Sequence, residues 1–190
     1  MIAEFKPSRP AGRVSAPPSK SMAHRLLICG ALAKGRSVIH GVSDSEDVRA
    51  TLSCLSALGA SYTQTGDTVE ISGFDPKEAR TCPDLFCNES GSTLRFLIPL
   101  CLFGGGARHF VGSRTLFGRP LSIYEDICRE QGIFFSREET GLSLAGNLRP
   151  ADFRVAGNVS SQFISGLLFA LPLLDGDSTL TVLPPLESAS

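Results

Sequence analysis

Three short runs in the chain carry side chains able to hold an anion. In Ser19-Lys20-Ser21, a lysine and two hydroxyls stand at the front of an apolar run of helical length. Arg25, four residues beyond Ser21, falls one turn further along the same face. In Gly157-Asn158-Val159-Ser160-Ser161-Gln162, hydroxyls and amides precede a second apolar run, and Ser90-Gly91-Ser92-Thr93-Leu94-Arg95 repeats the layout between them. The start of a helix offers N–H groups without intrahelical partners and a partial positive charge. Small residues there let an anion come close, hydroxyls add donors, and a basic side chain completes a phosphate site. Arg119, in Phe-Gly-Arg-Pro-Leu, precedes a proline-started helix, where a cation is unfavourable to the helix dipole, and this placement hints at a ligand-facing role. Each feature alone has a plainer reading: Ser-Lys-Ser as a cap, Arg95 as an ion-pair partner or helix-surface residue, Arg119 as a solvated loop cation, His24 as structural. Recurrence at one place in three units is what favours a shared site.

The elements that must position these residues repeat. Residues 19–42, 90–113 and 159–183 share one layout: small hydroxyl residues, an apolar helix, a Gly-rich or Gly-Asp turn, then a β-branched strand. Ser21, Ser92 and Ser161 recur at steps of 71 and 69 residues. The first two units continue with a second helix, Ser43 to Leu58 and Pro120 to Gln131. Ser43 with Glu46 has capping-box spacing, Pro120 suits a first helical position and Gly132 suits a stop. Strand pairs at 61–73 and 133–146, turning at Gly66-Asp67 and Glu139-Thr140-Gly141, close each unit. The reading is an α/β protein of repeated strand-helix-strand-helix-strand-strand units, its helix starts converging on one anionic ligand if the units pack around an axis. By this arithmetic roughly 40 residues would be needed to complete the third unit, so a longer parent chain is expected, with a degenerate last repeat as the alternative.

Composition narrows the classes. The 190 residues are 42% hydrophobic and 19% charged, enough to bury a core, and 18 Lys and Arg against 19 Asp and Glu argue against a whole-surface nucleic-acid or membrane role while leaving room for a local basic cleft. No apolar run approaches the roughly 20 residues of a membrane span, and residues 1–10 lack the apolar stretch of a secretory signal. The six Cys form no CxxC pair and lie mostly in apolar runs, which reads as reduced core thiols of a cytoplasmic protein; with three His unsuitably spaced, no metal site is expected. Walker A, G-x-S-x-G and dinucleotide fingerprints are missing from the sequence.

In order along the chain, APPSKSMAHRLLICGALA, ESGSTLRFL, FGRPL and GNVSSQFISGLLFALPLL resemble the N-terminal half of the 5-enolpyruvylshikimate-3-phosphate synthase family over about residues 14 to 190. The resemblance implies an inside-out barrel domain of three βαβαββ units, the third cut short here. Residues 1–13 would associate with a second domain, and the active cleft would lie between the two. It implies transfer of the enolpyruvyl group of phosphoenolpyruvate to the 5-hydroxyl of shikimate 3-phosphate, by addition and elimination with release of phosphate and without an obligatory metal or cofactor. Lys20 would contact both substrates, with Lys20 and Arg119 the catalytic cations. Ser21 and Arg25 would hold shikimate 3-phosphate, Ser160 and Ser161 its phosphate, and Gln162 would lie between the substrates. Gly91 and Arg119 would line the phosphoenolpyruvate site, which the inhibitor glyphosate shares, and Ser188 is the last matching serine. Glu89 and Phe96 depart from the Asn and Pro of many members. The Asp, Glu and Lys assigned to proton transfer, and further Arg residues, have no counterparts here, so the 190 residues alone are expected to be inactive. UDP-N-acetylglucosamine enolpyruvyltransferase, which usually has Lys-Asn at 20–21, and a non-catalytic anion-binding repeat module are the alternatives.

Overall fold

The computed structural model describes residues 11–78 and 83–186, with Glu4, Lys6, Pro7 and Arg9 of the leading segment. Along the chain lie α1 (Lys20–Leu32), β1 (Arg36–Ile39), α2 (Glu46–Leu58), β2 (Ser61–Thr65), β3 (Thr68–Ser72), β4 (Leu85–Asn88), α3 (Gly91–Leu100) and β5 (Ala107–Gly112). They are followed by α4 (Arg114–Phe117), α5 (Ser122–Gln131), β6 (Phe134–Arg137), β7 (Gly141–Ala145), β8 (Asp152–Ala156), α6 (Ser161–Ala170) and β9 (Thr179–Leu183). The strands form three separate sheets in the orders β1-β3-β2, β4-β5-β7-β6 and β8-β9. In the first two sheets, alternation sends one face inward: Val69 and Ile71 from β3, Leu142 and Leu144 from β7. The interior is therefore helical and the sheets lie outside it.

The central helix is α3. All of its residues are buried except Ser92 and Arg95, the two that face α6 and its start. Pro99 sits one residue from its end and has no N–H to give to the carbonyl four residues back, that of Arg95. The hydroxyl of the fully buried Tyr124, from α5, donates to that carbonyl at 2.6 Å, and the Phe163 carbonyl of α6 lies 3.4 Å from the same oxygen. Gly166 makes this meeting possible. A β-carbon there would come within 2.3 Å of the Tyr124 hydroxyl and 2.5 Å of the Arg95 carbonyl oxygen. The Tyr124 and Phe163 rings pack edge-on at 5.0 Å, and Phe96 packs edge-on to Phe169 at 5.6 Å, so Phe96 is part of the core.

Several expectations change on contact with the structure. Unit one has no opening strand among its described residues. Residues 11–19 are all exposed, Val14 at 98%, and Pro17 and Pro18 bring no amide donors to a ladder, so β1 pairs only antiparallel, with β3. Units two and three do pair their opening strand in parallel with the strand after the helix, β4 with β5 and β8 with β9. The cap of α2 is Ser45, which accepts from the Val48 N–H, and not Ser43, because Asp44 is still outside the helix. The helix expected from Pro120 begins at Ser122, and the one-turn α4 before it was not anticipated. Gly132 is a left-handed stop as expected, with φ 67°. Cys54, Cys87, Cys101 and Cys128 are buried, and burial pushes the Cys128 thiol up to about 12. Cys29 is exposed on the outer face of α1, and Cys82 lies outside the described residues.

Gly166→Ala should destabilise the chain by about 2–3 kcal/mol in urea unfolding, because the added methyl meets a backbone oxygen that cannot yield. Combined with Tyr124→Phe, which removes the nearer clash, its cost should be less than the sum of the two single changes.

Candidate functional site

The start of α3 is set by a sharp exit from β4. Asn88 adopts φ 51°, a left-handed conformation that asparagine tolerates, and its carbonyl accepts from the Ser113 N–H at 2.8 Å. Ser90 then caps α3 by accepting from the Thr93 N–H at 3.2 Å. That tie to Ser113 holds α4 and the following loop beside the helix start, and Arg137 fixes the loop further by donating to the carbonyls of Phe117 and Arg119. Arg119 is thereby laid against Gly91. A β-carbon on Gly91 would stand 3.0 Å from an Arg119 guanidinium nitrogen and 3.4 Å from one of Arg95. Gly91 lies outside the left-handed region, so space and not backbone conformation is what its missing side chain serves.

At the start of α6, Ser160 is the cap and Ser161 the exposed first residue. The next residue, Gln162, bridges to α3. Its Nε2 donates to Ser92 Oγ at 2.8 Å, while its Oε1 accepts from Arg95 Nη1 at 2.8 Å. Arg95 also donates to the Pro120 carbonyl at 3.3 Å and lies over the Phe163 ring at 5.1 Å. It belongs to the cluster around Gly91, a part that the family resemblance does not assign to it.

At the start of α1, Ser19 caps the helix by accepting from Met22 N–H. Lys20 Nζ donates to Asp47 Oδ2 of α2 at 2.9 Å. Arg25 donates to Ser21, reaches Ser165 of α6 at 3.0 Å through Nη2, and stacks over Phe96 of α3 at 5.0 Å. The first two turns of α1, α3 and α6 are therefore in mutual contact, and their positive ends lie at one end of the molecule. The caps are Ser19, Ser90 and Ser160, up to two residues ahead of the matched Ser21, Ser92 and Ser161. Lys20, Ser21, Gly91, Arg119, Ser160 and Ser161 all lie at this end, with Arg25 and Gln162 tying the helices together. Ser188 lies outside the described residues.

His24 lies beneath this surface, with only 2% of its area exposed and its Nδ1 2.7 Å from Thr51 Oγ1. Burial lowers its pKa from 6.5; Asp47 opposes the shift, and Lys20 and Arg25 add to it. It faces packed hydroxyls, which settles it as structural.

Fold and site together define an α/β repeat domain whose three helix starts gather at one end with Lys20, Arg25, Arg95 and Arg119 beside them. The family model for EPSP synthase (3-phosphoshikimate 1-carboxyvinyltransferase) matches residues 5–187. A protein named 3-phosphoshikimate 1-carboxyvinyltransferase from Clostridium beijerinckii is 45% identical over 193 aligned residues, covering 96% of this chain and 44% of the relative. One of the same name from Clostridium perfringens is 47% identical over 184, covering 96% and 43%. A solved EPSP synthase from Acinetobacter baumannii superposes with TM-score 0.77 at 25% identity, covering 92% of this chain and 41% of that one. The enolpyruvyl transferase NikO from Streptomyces tendae shares the fold at TM-score 0.61 and 17% identity, covering 88% and 39%. The chain belongs to the EPSP synthase family. It spans under half the length of the relatives it matches. No helix among the described residues is long and apolar enough to cross a membrane.

The lowered His24 pKa has a testable sign. The unfolded chain takes up a proton near pH 6.5 that the folded chain refuses until lower pH. Unfolding free energy should therefore fall as pH drops below 6.5 towards the folded value, then level off. Urea unfolding between about pH 7.5 and about pH 5 should show this decline in the native chain, and a shallower one in His24→Asn.

Proposed function

We propose that this chain provides the shikimate 3-phosphate side and part of the phosphoenolpyruvate position of an enolpyruvyl transferase site, and works in the cytoplasm with the remainder of the length its relatives have. The observation that carries the reading is the crowding at Gly91, where two guanidinium groups and the Gln162 amide converge on a helix start that has no side chain. Such a place suits a phosphate group: it offers charge-assisted donors, unpaired N–H groups and close approach.

In this reading Gly91 and Arg119 line the phosphoenolpyruvate position, and glyphosate, itself an anion, competes there. Lys20 reaches both substrates. Ser21 and Arg25 hold shikimate 3-phosphate, Ser160 and Ser161 take its phosphate, Gln162 stands between the two ligands, and Ser188 is a further contact. The 5-hydroxyl oxygen gives up its proton and adds to the phosphate-bearing carbon of phosphoenolpyruvate as the methylene carbon gains a proton; the tetrahedral adduct then loses a proton from that methyl and expels phosphate, which restores the double bond. Lys20 and Arg119 balance the charge on that phosphate as it leaves. The groups that move protons, and those that exclude water by closure, come from a second domain, with which residues 1–13 associate. Arg95 joins the proposed set because it holds Gln162.

The 190-residue chain should bind shikimate 3-phosphate weakly and with strong salt dependence, seen as amide shifts at Ser21, Arg25, Ser160 and Ser161, and should release no phosphate when given both substrates. A preference for a UDP-sugar, or equal response to inorganic phosphate, would favour the alternatives; robust phosphate release would overturn the placement of the proton-transfer groups. Gly91→Ala should leave stability within about 0.5 kcal/mol, since alanine is a better helix former, yet weaken phosphoenolpyruvate and glyphosate by pushing the guanidinium groups aside. Titration calorimetry of a full-length relative carrying the same change measures both affinities; unchanged affinities would remove Gly91 from the site.

A further inference from the structure

Beneath the helix starts runs a chain of buried polar groups that the proposed roles do not use. His24 Nδ1 lies 2.7 Å from Thr51 Oγ1, Thr51 Oγ1 lies 2.7 Å from Thr93 Oγ1, and Thr93 Oγ1 donates to Ser90 Oγ at 2.7 Å. Thr51 and Thr93 have no exposed surface, and Ser90 has 3%. The groups come from α1, α2, α3 and the α3 cap, so the chain crosses three helices. Each hydroxyl has one proton. Because Thr93 donates to Ser90, it accepts from Thr51, and Thr51 in turn accepts from His24, whose proton therefore sits on Nδ1. The burial that lowers the His24 pKa agrees with a neutral ring.

A second rung runs parallel to the first. Lys20 and His24 are one turn apart on α1, and their partners Asp47 and Thr51 are one turn apart on α2. Thr93 joins both rungs, since its hydroxyl also lies 3.4 Å from the Asp47 carbonyl oxygen. It is the third residue of α3, two after Gly91. The amide of Thr93 is held by Ser90, so the same cap oxygen receives both the backbone and the side chain of one residue. A fully buried hydroxyl with three oxygens around it is costly to remove, because its neighbours lose partners that water cannot replace.

We propose that Thr93, through the His24–Thr51–Thr93–Ser90 chain, is the positioning residue that sets the start of α3 relative to Lys20 and thereby sets the phosphoenolpyruvate position at Gly91, while the Ser160–Ser161 position on α6, which Gln162 links to Ser92 and Arg95 of α3, depends on it less. The second half of this statement rests on the reading under Proposed function. The first half concerns the fold and stands apart from it.

The test uses the full 190-residue chain with Thr93→Val, which keeps the shape and removes the hydroxyl, and Thr93→Ser, which restores it. Without ligand, exchange of the Thr93 and Leu94 amides, the first hydrogen-bonded amides of α3, should quicken by about tenfold in Thr93→Val and return close to native in Thr93→Ser. With phosphoenolpyruvate, the affinity read from Gly91 and Ser92 amide shifts should fall by about tenfold in Thr93→Val and recover in Thr93→Ser, while shikimate 3-phosphate read at Ser160 and Ser161 changes less than about twofold. Unchanged exchange, no recovery in Thr93→Ser, or equal loss at both positions would overturn the proposal. If the native chain bound neither ligand, the substrate reading would fail and the exchange experiment alone would decide the positioning role. Should Thr93→Val not fold, Thr51→Val breaks the same chain one link earlier and is held to the same outcomes.

Discussion

The carbonyl of Arg95 organises this molecule. Pro99 deprives it of its place in the helical ladder, and a buried carbonyl without a donor would cost on the order of 1–3 kcal/mol. Tyr124 supplies the donor from α5, and Gly166 lets α6 come close enough to share it. One missing N–H in the middle of the sequence thus requires a tyrosine from the second repeat and a glycine from the third. With the carbonyl held, the side chain of the same residue is aimed the other way, at Gln162. The packing that makes the core and the geometry that makes the site meet in one residue.

The site inherits its rigidity from that arrangement. Gln162 follows directly after Ser161 and precedes Phe163, whose ring supports Arg95 and whose carbonyl faces Tyr124. Arg25 performs the matching task between α1 and α6, over the ring of Phe96. A proline at 96, the residue that the family resemblance gives for several members, would give Arg25 no such ring. At 96 the ring of Phe96 thus adds a stacking surface to the hydrogen bonds by which Arg25 is already held to Ser21 and Ser165.

Much of this was legible in the sequence because it depends on local chemistry. The three serine-led helix starts, the Thr-Gly-Asp-Thr hairpin and the Gly132 stop each declare themselves within a few residues, and the steps between Ser21, Ser92 and Ser161 exposed the repeat. The opening strand of unit one was misread because the repeat was applied where Pro17 and Pro18 forbid a ladder. The roles of Arg95, Asp47, Thr51 and Thr93 were not legible at all. Their partners lie between 27 and 67 residues away in other helices, and no spacing rule connects them. An arginine on an apolar helix and a threonine three residues after a cap look ordinary until a second helix is set beside them.

Charge completes the argument for an anion at this end of the molecule. The chain as a whole is close to neutral, with 18 basic and 19 acidic side chains, so its affinity for anions cannot be a bulk property. Lys20, Arg25, Arg95 and Arg119 nevertheless cluster with three helix starts, and Asp47 pairs with Lys20. Two guanidinium groups stand beside Gly91, and that of Arg95 donates to the Gln162 amide oxygen and the Pro120 carbonyl. In the proposed reading a phosphate group at Gly91 would be drawn to both arginines, and the missing side chain is what would let it come close.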